Sequence, residues 1–389
     1  MKKKIFVLVL CVVFLSGCWD RKELNEIGII VGVAVDKDLN TNQIILTCEA
    51  IKTSNLKKGE SQVSSTTEYV SVKGATIYDA IRNCSKKFDR KIFFSHDKVI
   101  IISENLARDG IAPILDAFVR DYETRPLVWL IVAKDKDINE TLSVKHGIEA
   151  IQGLYLRDII SKEWATSEVQ ATGLIDFYKK MLGKGTNPIA GAAEVINDFK
   201  NPNGEDSREI SLSGAAAFKK DKFVGYLNDK ETRGYNWITN QVKSGVINVP
   251  GITNKSKLIA VEIKRAGSNI KSEMLNGNYI FNINVVEEGN IGEVQDTTDV
   301  TDPAIQEKIE KEQEEEIKQE IKMAIKKAKE DFKCDIFGFG NVLYRSNPKQ
   351  WEKVKDSWND VFIHAEYNIN VKATYKKTGE ILKPFNTKE

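Results

Sequence analysis

The sequence predicts a multidomain α+β protein of two to three mixed α/β modules, with a C-terminal antiparallel sheet packed around one long helix. Strand-like and helix-like patterns alternate over residues 27–200. Residues 201–207 are rich in Asn, Pro and Gly and have no apolar period, which is typical of a break between modules. Beyond residue 253, strand patterns flank one long amphipathic pattern.

Length and composition limit the class of protein. The chain has 389 residues, of which 57 are Lys or Arg and 56 are Asp or Glu. At roughly 100–200 residues per domain, this length predicts two or three domains. The balanced charge argues against binding to nucleic acid, which needs a positive field to neutralise phosphates.

Residues 1–17 have the pattern of a secretory signal peptide. Three lysines at positions 2 to 4 precede an unbroken apolar run over residues 5–15. This run is shorter than the roughly 20 apolar residues that a transmembrane helix needs, and it fits the apolar region of an export signal.

The end of this signal, Leu15, Ser16, Gly17 and Cys18, resembles the lipobox of bacterial lipoproteins. The resemblance implies that the Cys18 thiol accepts diacylglycerol and that cleavage makes Cys18 the new N-terminus. A plain signal peptide, or an uncleaved anchor with a chance cysteine, is the alternative. Processing would leave residues 18–26 as a lipidated N-terminus and tether, and loss of the lysines would change the formal net charge from +1 to −2. Membrane attachment would then depend on the lipid.

Residues 27–200 are predicted to form an N-terminal α/β domain. Apolar runs predict strands at residues 27–36, 43–51, 98–102 and 127–133, the first two as a hairpin. Apolar residues three to four positions apart predict helices at residues 74–88, 105–120, 138–144 and 168–182. The Lys- and Ser-rich residues 53–67 predict a loop.

Residues 208–252 are predicted as a middle module, with a hairpin of residues 210–218 and 222–227 and a helix at residues 231–239. Residues 253–386 are predicted as a C-terminal α+β domain. Its helix, residues 303–332, follows Asp302 as N-cap and carries one apolar face. Because the heptad pattern fails, we expect this helix to pack on its own sheet rather than in a coiled coil.

Three strands are predicted in the C-terminal domain, at residues 257–266, 278–287 and 362–375. Residues of the last strand alternate strictly between two faces, one predicted to be buried and one predicted to be exposed to solvent.

Patterns typical of catalysis are nearly absent. The sequence contains no P-loop, zinc-protease, nucleophile-elbow or EF-hand motif. His96 beside Asp97 resembles half of a catalytic pair, but adjacent strand residues point to opposite faces, so a surface or capping role is favoured. His146 and His364 have no partners at ligand spacing. We therefore predict no enzymatic activity, no metal site and no cofactor.

Other residues that could carry chemistry have plainer interpretations. Gly338 and Gly340 form a lone G-x-G that follows a helix, which indicates a helix C-cap and a turn. Cys48 and Cys84 lie in apolar patterns and are predicted to be buried thiols; with Cys334 they indicate neither a disulfide framework nor a zinc site. Core packing is expected for the scattered tryptophans Trp129, Trp164, Trp237, Trp351 and Trp358.

Short segments along the whole mature chain resemble the spore germination lipoproteins, the C subunits of GerA-type nutrient receptors. These segments are residues 18–26 at the lipobox, 103–110, 116–125, 214–218, 225–227, 231–234 and 335–340, followed by Trp351 and Trp358. Their order and their union with a lipobox are specific to that family. Ser95 departs from it, since the family typically has Gly there.

The resemblance implies a lipid-anchored, three-domain α+β protein on the outer face of the spore inner membrane. It also implies membrane-embedded A and B subunits as partners, a response to amino acids, sugars or nucleosides, and no enzymatic activity. The alternative is a lipid-anchored solute-binding protein that delivers a nutrient to a transporter. That alternative predicts two similar lobes, whereas the regions before and after residue 200 do not look alike. A cell-envelope hydrolase is disfavoured for want of a nucleophile–base set or metal set.

Overall fold

The computed structural model describes residues 26–52, 66–121, 124–125, 127–134, 137–144, 148–200 and 206–377. The predicted signal peptide, the lipobox with Cys18, most of the tether, the polar loop, His146 and most of the break after residue 200 lie outside the described residues. The described residues form two sheets with helices packed on them. This confirms the predicted mixed α+β fold.

The first sheet has nine strands in the order β3-β2-β1-β5-β6-β7-β8-β9, with β4 paired to β1. The strands are β1 (Ile27–Lys37), β2 (Ile44–Ile51), β3 (Thr67–Gly74), β4 (Lys91–Phe93), β5 (Val99–Ser103), β6 (Trp129–Ala133), β7 (Ile189–Lys200), β8 (Asp206–Lys219) and β9 (Lys222–Leu227). The central pairs β1–β5, β5–β6 and β6–β7 are parallel, whereas the outer strands pair as antiparallel hairpins. Parallel strands need helical crossovers, which explains the alternating sequence pattern.

Helices cover both faces of this sheet, so its central strands read as continuous apolar runs. The helices are α1 (Ile77–Cys84), α2 (Glu104–Asp109), α3 (Ala112–Arg120), α4 (Ile138–Ser143), α5 (Gln152–Ile160) and α6 (Leu174–Leu182). The predicted single helix over residues 105–120 is two helices. The reason is Gly110, whose φ of +120° interrupts the helical backbone.

Several elements of the first sheet differ from the sequence prediction. The predicted helix at residues 168–182 begins only at Leu174, after an extended segment. Strands β3, β4 and β7 and helix α5 were not predicted. β7 is rich in Ala and Gly, which are poor strand formers, and one face of β3 is exposed and polar, so neither shows a strong apolar run.

The second sheet has four strands, β10 (Val246–Pro250), β11 (Leu258–Leu275), β12 (Asn278–Val294) and β13 (Glu366–Lys377). The first three pair antiparallel, and β11 and β12 are joined by Asn276 and Gly277, both with positive φ, as in a tight hairpin turn. β13 pairs parallel to β12, which corrects the expectation that every pair is antiparallel. A helical crossover between β12 and β13 reverses the chain twice, so β13 runs in the direction of β12.

The crossover consists of the long helix α8 (Pro303–Lys327), a π-helical turn Ala328–Phe332, and the helices α9 (Phe339–Ser346), α10 (Pro348–Val354) and α11 (Trp358–His364). The Asp302 side chain accepts the N–H of Ala304 at 2.8 Å, which confirms the predicted helix start. The apolar face of α8 is buried against α7 (Asp229–Ile238), β10 and β13, so the helix packs on its own sheet as predicted.

The predicted strand over residues 362–375 begins only at Glu366, because residues 358–364 form α11. Trp358 and Phe362 lie four residues apart on one buried face of this helix. Because four is an even number, two buried residues at this spacing fit one face of a strand as well as one face of a helix. From Ala365 onward the predicted alternation of buried and exposed residues is confirmed.

Residues 208–252, predicted as a middle module, are shared between the two sheets. β8 pairs with β7 and completes the first sheet together with β9, whereas α7 packs on α8 and β10 joins the second sheet. The two sheets differ in strand number and topology, which does not match the two similar lobes expected of a solute-binding protein.

Candidate functional site

The two sheets meet at a joint built around the turn of residues 335–340. Lys333, at a φ of +51°, ends the π-helical turn, and Gly338, at a φ of +85°, is the N-cap of α9. The lone G-x-G therefore starts a helix, whereas the sequence indicated a helix end. The left-handed backbone at Gly338 explains the glycine there.

The Asp335 carboxyl group organises this turn. Its Oδ1 accepts the N–H groups of Phe337 at 2.9 Å and Gly338 at 2.8 Å. Its Oδ2 accepts the N–H of Gly340 at 2.9 Å and the indole Nε1–H of Trp358 at 3.0 Å. Burial raises the pKa of Asp335 to about 6, against the lowering effect of these four donors. The carboxyl group thereby ties the turn to the start of α11.

Asn187, just before β7, connects this turn to the first sheet. The Asp335 carbonyl oxygen accepts the backbone N–H of Asn187 at 2.7 Å and its Nδ2–H at 3.1 Å. The Asn187 Oδ1 accepts the N–H of Lys220, in the turn between β8 and β9, at 2.9 Å. One asparagine thus holds three segments that are far apart in the sequence.

Two glycines allow the segments to approach closely. A Cβ atom on Gly340 would lie 2.6 Å from the Cα of Gly185, and a Cβ on Gly185 would lie 2.7 Å from the carbonyl carbon of Gly340. Real Cβ atoms do not come so close to backbone atoms, so a side chain at either position would push the joint apart.

A groove of about 490 Å³ opens over the joint, a volume within the range of ligand pockets. Positively and negatively charged side chains line this groove. Lys184 Nζ lies 3.7 Å from Asp356 Oδ1, and Lys220, Asp221 and Lys355 are also among the lining residues. Side chains of both charges are therefore available for hydrogen bonds at this joint groove.

A buried ion-pair network lies in the core of the second sheet. Arg233 of α7 donates from Nε and Nη2 to the carboxylate of Glu320 on α8, and from Nη1 to Glu168 at 2.9 Å and to the Val246 carbonyl at 3.0 Å. Trp237 Nε1–H donates to Glu320 at 2.9 Å. Arg233 and Glu320 are both buried. These six hydrogen bonds offset part of the desolvation cost of the two buried charges.

Sequence reasoning found residues 231–234 and 335–340 as segments of a family resemblance but did not find Asn187 or Glu320. Asn187 lies 148 residues from Asp335, and Glu320 lies 87 residues from Arg233. Neither pairing leaves a local pattern. The sequence pattern places the acidic residues 310–320 on a solvated face of α8, which is wrong for Glu320, because its carboxylate is buried against Arg233.

The other candidate residues do not converge on a site. His96 is exposed, whereas Asp97 is buried and accepts the N–H of Val99 at 3.4 Å, so the two side chains are separated. Burial raises the pKa of Asp97 to about 8. His364 is exposed at the end of α11. Within the described ranges, no three His, Cys, Asp or Glu side chains are grouped so that they could hold a metal ion.

Cysteines and tryptophans mostly behave as predicted. Cys48, Cys84 and Cys334 are free and buried, which confirms the prediction of buried thiols for Cys48 and Cys84. Core packing is confirmed for Trp237, Trp351 and Trp358, whereas Trp164 is 48% exposed and was wrongly assigned to the core. No helix in the part of the chain that the structure describes is long and apolar enough to cross a bilayer.

Comparison with known proteins gives two family models that match in order along the chain. The model described as "Spore germination protein N-terminal domain" matches residues 20–195, and the one described as "Spore germination B3/GerAC like, C-terminal" matches residues 213–379.

Curated relatives match over nearly their whole length. The chain is similar to spore germination protein KC of Bacillus subtilis, with 28% identity covering 96% of this chain and 95% of that protein. It is also similar to spore germination protein B3 of Bacillus subtilis, with 25% identity covering 95% and 96% of the two chains. The crystal structure of the GerBC protein superposes with a TM-score of 0.56 at 21% identity, covering 88% of this chain and 96% of that one, which shows a shared fold.

Proposed function

The chain belongs to the spore germination protein family that the two models describe, and from this premise we propose that it is a lipid-anchored, non-enzymatic subunit of a spore nutrient-germinant receptor. The observation that carries the proposal is that both models match in order, at residues 20–195 and 213–379, so the resemblance extends over both sheets. The joint supports a structural role, because its buried groups serve as hydrogen-bond partners of the backbone.

We propose that a diacylglycerol thioether at Cys18 anchors the mature chain to the outer face of the spore inner membrane. Leu15, Ser16 and Gly17 before Cys18 support this assignment. Residues 18–26 can span at most about 30 Å, so the first sheet would lie close to the bilayer surface. Two or more acyl chains would make the attachment stable.

We propose that the partners are the membrane-embedded A and B subunits of the receptor. The joint fixes the two sheets relative to each other through Asn187 and Asp335. A partner bound to either sheet would therefore be held in a defined orientation to the anchor. This arrangement suits a subunit that assembles and signals within a complex.

The lipid anchor is tested by labelling cells with palmitate. We expect the wild-type chain and Cys11→Ala to incorporate the label and Cys18→Ala to remain unlabelled. Cys11 is a matched control because it lies in the apolar run of the same signal and loses the same thiol. Incorporation of label by Cys18→Ala would contradict the anchor.

The receptor role is tested by deleting the gene. Spores should form normally yet fail to respond to the nutrient of that receptor, and the membrane subunits should copurify with the tagged wild-type chain from spore membranes. Normal germination with every nutrient, in a strain that lacks paralogues, would rule out the role.

A further inference from the structure

A small, oxygen-lined pocket lies where residues 163–171 contact α7, outside the joint and the ion-pair network. Its free volume is about 10 Å³, which is room for one water-sized body. Glu163, Gln170, Asn236 and Gln241 are among the residues that line it. We call it the oxygen pocket.

Three side-chain oxygens of the oxygen pocket have no hydrogen-bond partner among the described residues: Glu163 Oε2, Gln170 Oε1 and Asn236 Oδ1. Each of these atoms is buried, and the residues Gln170 and Asn236 are each only 4% exposed. Buried polar atoms in proteins are almost always paired, so three orphaned acceptors around one pocket need an explanation.

The orientation of the two amide groups is fixed by their neighbours. Asn236 Nδ2 donates to the Ser167 carbonyl at 2.9 Å, and Gln170 Nε2 donates to the Ala171 carbonyl at 3.1 Å. A backbone carbonyl can only accept, so the nitrogen of each amide must lie on that side. Gln170 Nε2 also lies 3.3 Å from Gln241 Oε1. The oxygen of each amide is therefore the atom that has no partner among the described residues.

The three unpaired oxygens favour a cation over a water molecule as the ligand. A water molecule has two hydrogens and can satisfy two of the three acceptors, whereas a cation can be coordinated by all of them. The set has a single carboxylate, and hard divalent ions prefer more oxygen ligands, usually with several carboxylates. Burial raises the pKa of Glu163, whereas the nearby positive charge of Lys243 lowers it.

We propose that the oxygen pocket binds one dehydrated monovalent cation of the size of Na⁺ or K⁺, coordinated by Glu163 Oε2, Gln170 Oε1 and Asn236 Oδ1. The ion would fasten residues 163–171, which lead into α6 of the first sheet, to α7 in the core of the second sheet. This site is independent of the proposed receptor role.

The experiment is thermal unfolding of the full chain in detergent at constant ionic strength, in NaCl, KCl or tetramethylammonium chloride. Tetramethylammonium is too large for the pocket. We expect Na⁺ or K⁺ to raise the Tm by about 2–4 °C over tetramethylammonium. Equal Tm values in the three salts would overturn the proposal.

Glu163→Gln is expected to fold and to lose the difference between salts, because its carboxamide can donate to the orphaned oxygens. Glu140→Gln is the matched control: it removes an exposed carboxylate that pairs with Arg208 at 2.9 Å, and it should keep the wild-type difference. Persistence of the difference in Glu163→Gln would place the ion elsewhere and overturn the assignment.

Crystals soaked in Tl⁺ give a direct measurement. An anomalous peak in contact with the three oxygens supports the site. A pocket without that peak, filled by water or by the ammonium group of Lys243, contradicts it.

Discussion

Glu287 of β12 and Gln313 of α8 form a buried pair in the core of the second sheet. Gln313 Nε2 donates to Glu287 Oε2, while Glu287 Oε1 and Gln313 Oε1 have no partner among the described residues. Burial, and then the neighbouring charge of Glu288, raise the pKa of Glu287 to about 8. A protonated Glu287 can donate to Gln313 Oε1, which would satisfy both orphaned oxygens at once.

This pair predicts a loss of stability as pH rises. The folded protein holds the Glu287 proton up to about pH 8, whereas the unfolded chain releases it near its ordinary pKa of 4.5. Because the folded state binds more protons between these values, the free energy of unfolding should fall across that window, by on the order of 5 kcal/mol. Asp97, whose pKa burial raises to about 8, and Asp335 contribute in the same direction.

Glu287→Gln should reduce this pH dependence and stabilise the protein at alkaline pH, because its amide donates to Gln313 at every pH. Urea unfolding at about pH 5 and about pH 9 measures the difference. Glu273→Gln, an exposed carboxylate on the neighbouring strand, should leave the slope unchanged. An unaltered slope in Glu287→Gln would show that this residue is not the group that titrates.

At the scale of elements, the contact between α7 and α8 contains two ion pairs of nearly equal sequence separation. Arg233–Glu320 is buried, with side chains 5% and 1% exposed, whereas Lys230–Glu316 is largely exposed, with side chains 57% and 29% exposed and a distance of 2.6 Å. The helices approach closely at Gly234, where a Cβ atom would lie 2.1 Å from the Glu320 carbonyl oxygen.

Arg233→Met should lower the free energy of unfolding by about 3–5 kcal/mol, because it leaves Glu320 buried without its counter-ion. Lys230→Met is the matched control on the same helix and should cost less than about 1 kcal/mol. The double variant Arg233→Met, Glu320→Met should recover only part of the loss, since Trp237 then lacks its acceptor. Equal effects of the two single variants in denaturant unfolding would contradict this account.

Elements with strong local patterns were predicted well. β9 was predicted with its observed bounds, and the N-cap of α8 was predicted from Asp302 and Pro303 alone. β7 was missed, because small residues that pack tightly between two strands carry little apolar signal. The hairpin turn at Asn276 and Gly277 was also missed, although Asn-Gly is a typical sequence for it.

At the scale of the whole molecule, the pairing of β7 with β8 crosses the predicted boundary near residue 200. A chain that ends at residue 200 would lose β8 and β9 and would expose the edge of β7. Exposed strand edges of this length promote aggregation.

We therefore expect residues 19–200 to aggregate and residues 19–377 to be monomeric with a cooperative unfolding transition. Size-exclusion chromatography and circular dichroism during heating measure both properties. A soluble, cooperatively unfolding 19–200 fragment would show that the first domain folds without β8 and β9.

The sequence by itself determined the mixed fold, most of the strands and helices and the family resemblance, and it predicts a lipid anchor at Cys18. These conclusions depend on residues that are neighbours in the chain, whose periodicity, caps and motifs are local. Only the tertiary structure decided the parallel pairing of β13, the joint of Asn187 with Asp335, and the burial of Arg233 with Glu320. It also brought Glu163, Gln170 and Asn236 around one pocket. The physical reason is that burial and close approach select these pairings among residues far apart in sequence, and no local pattern records them.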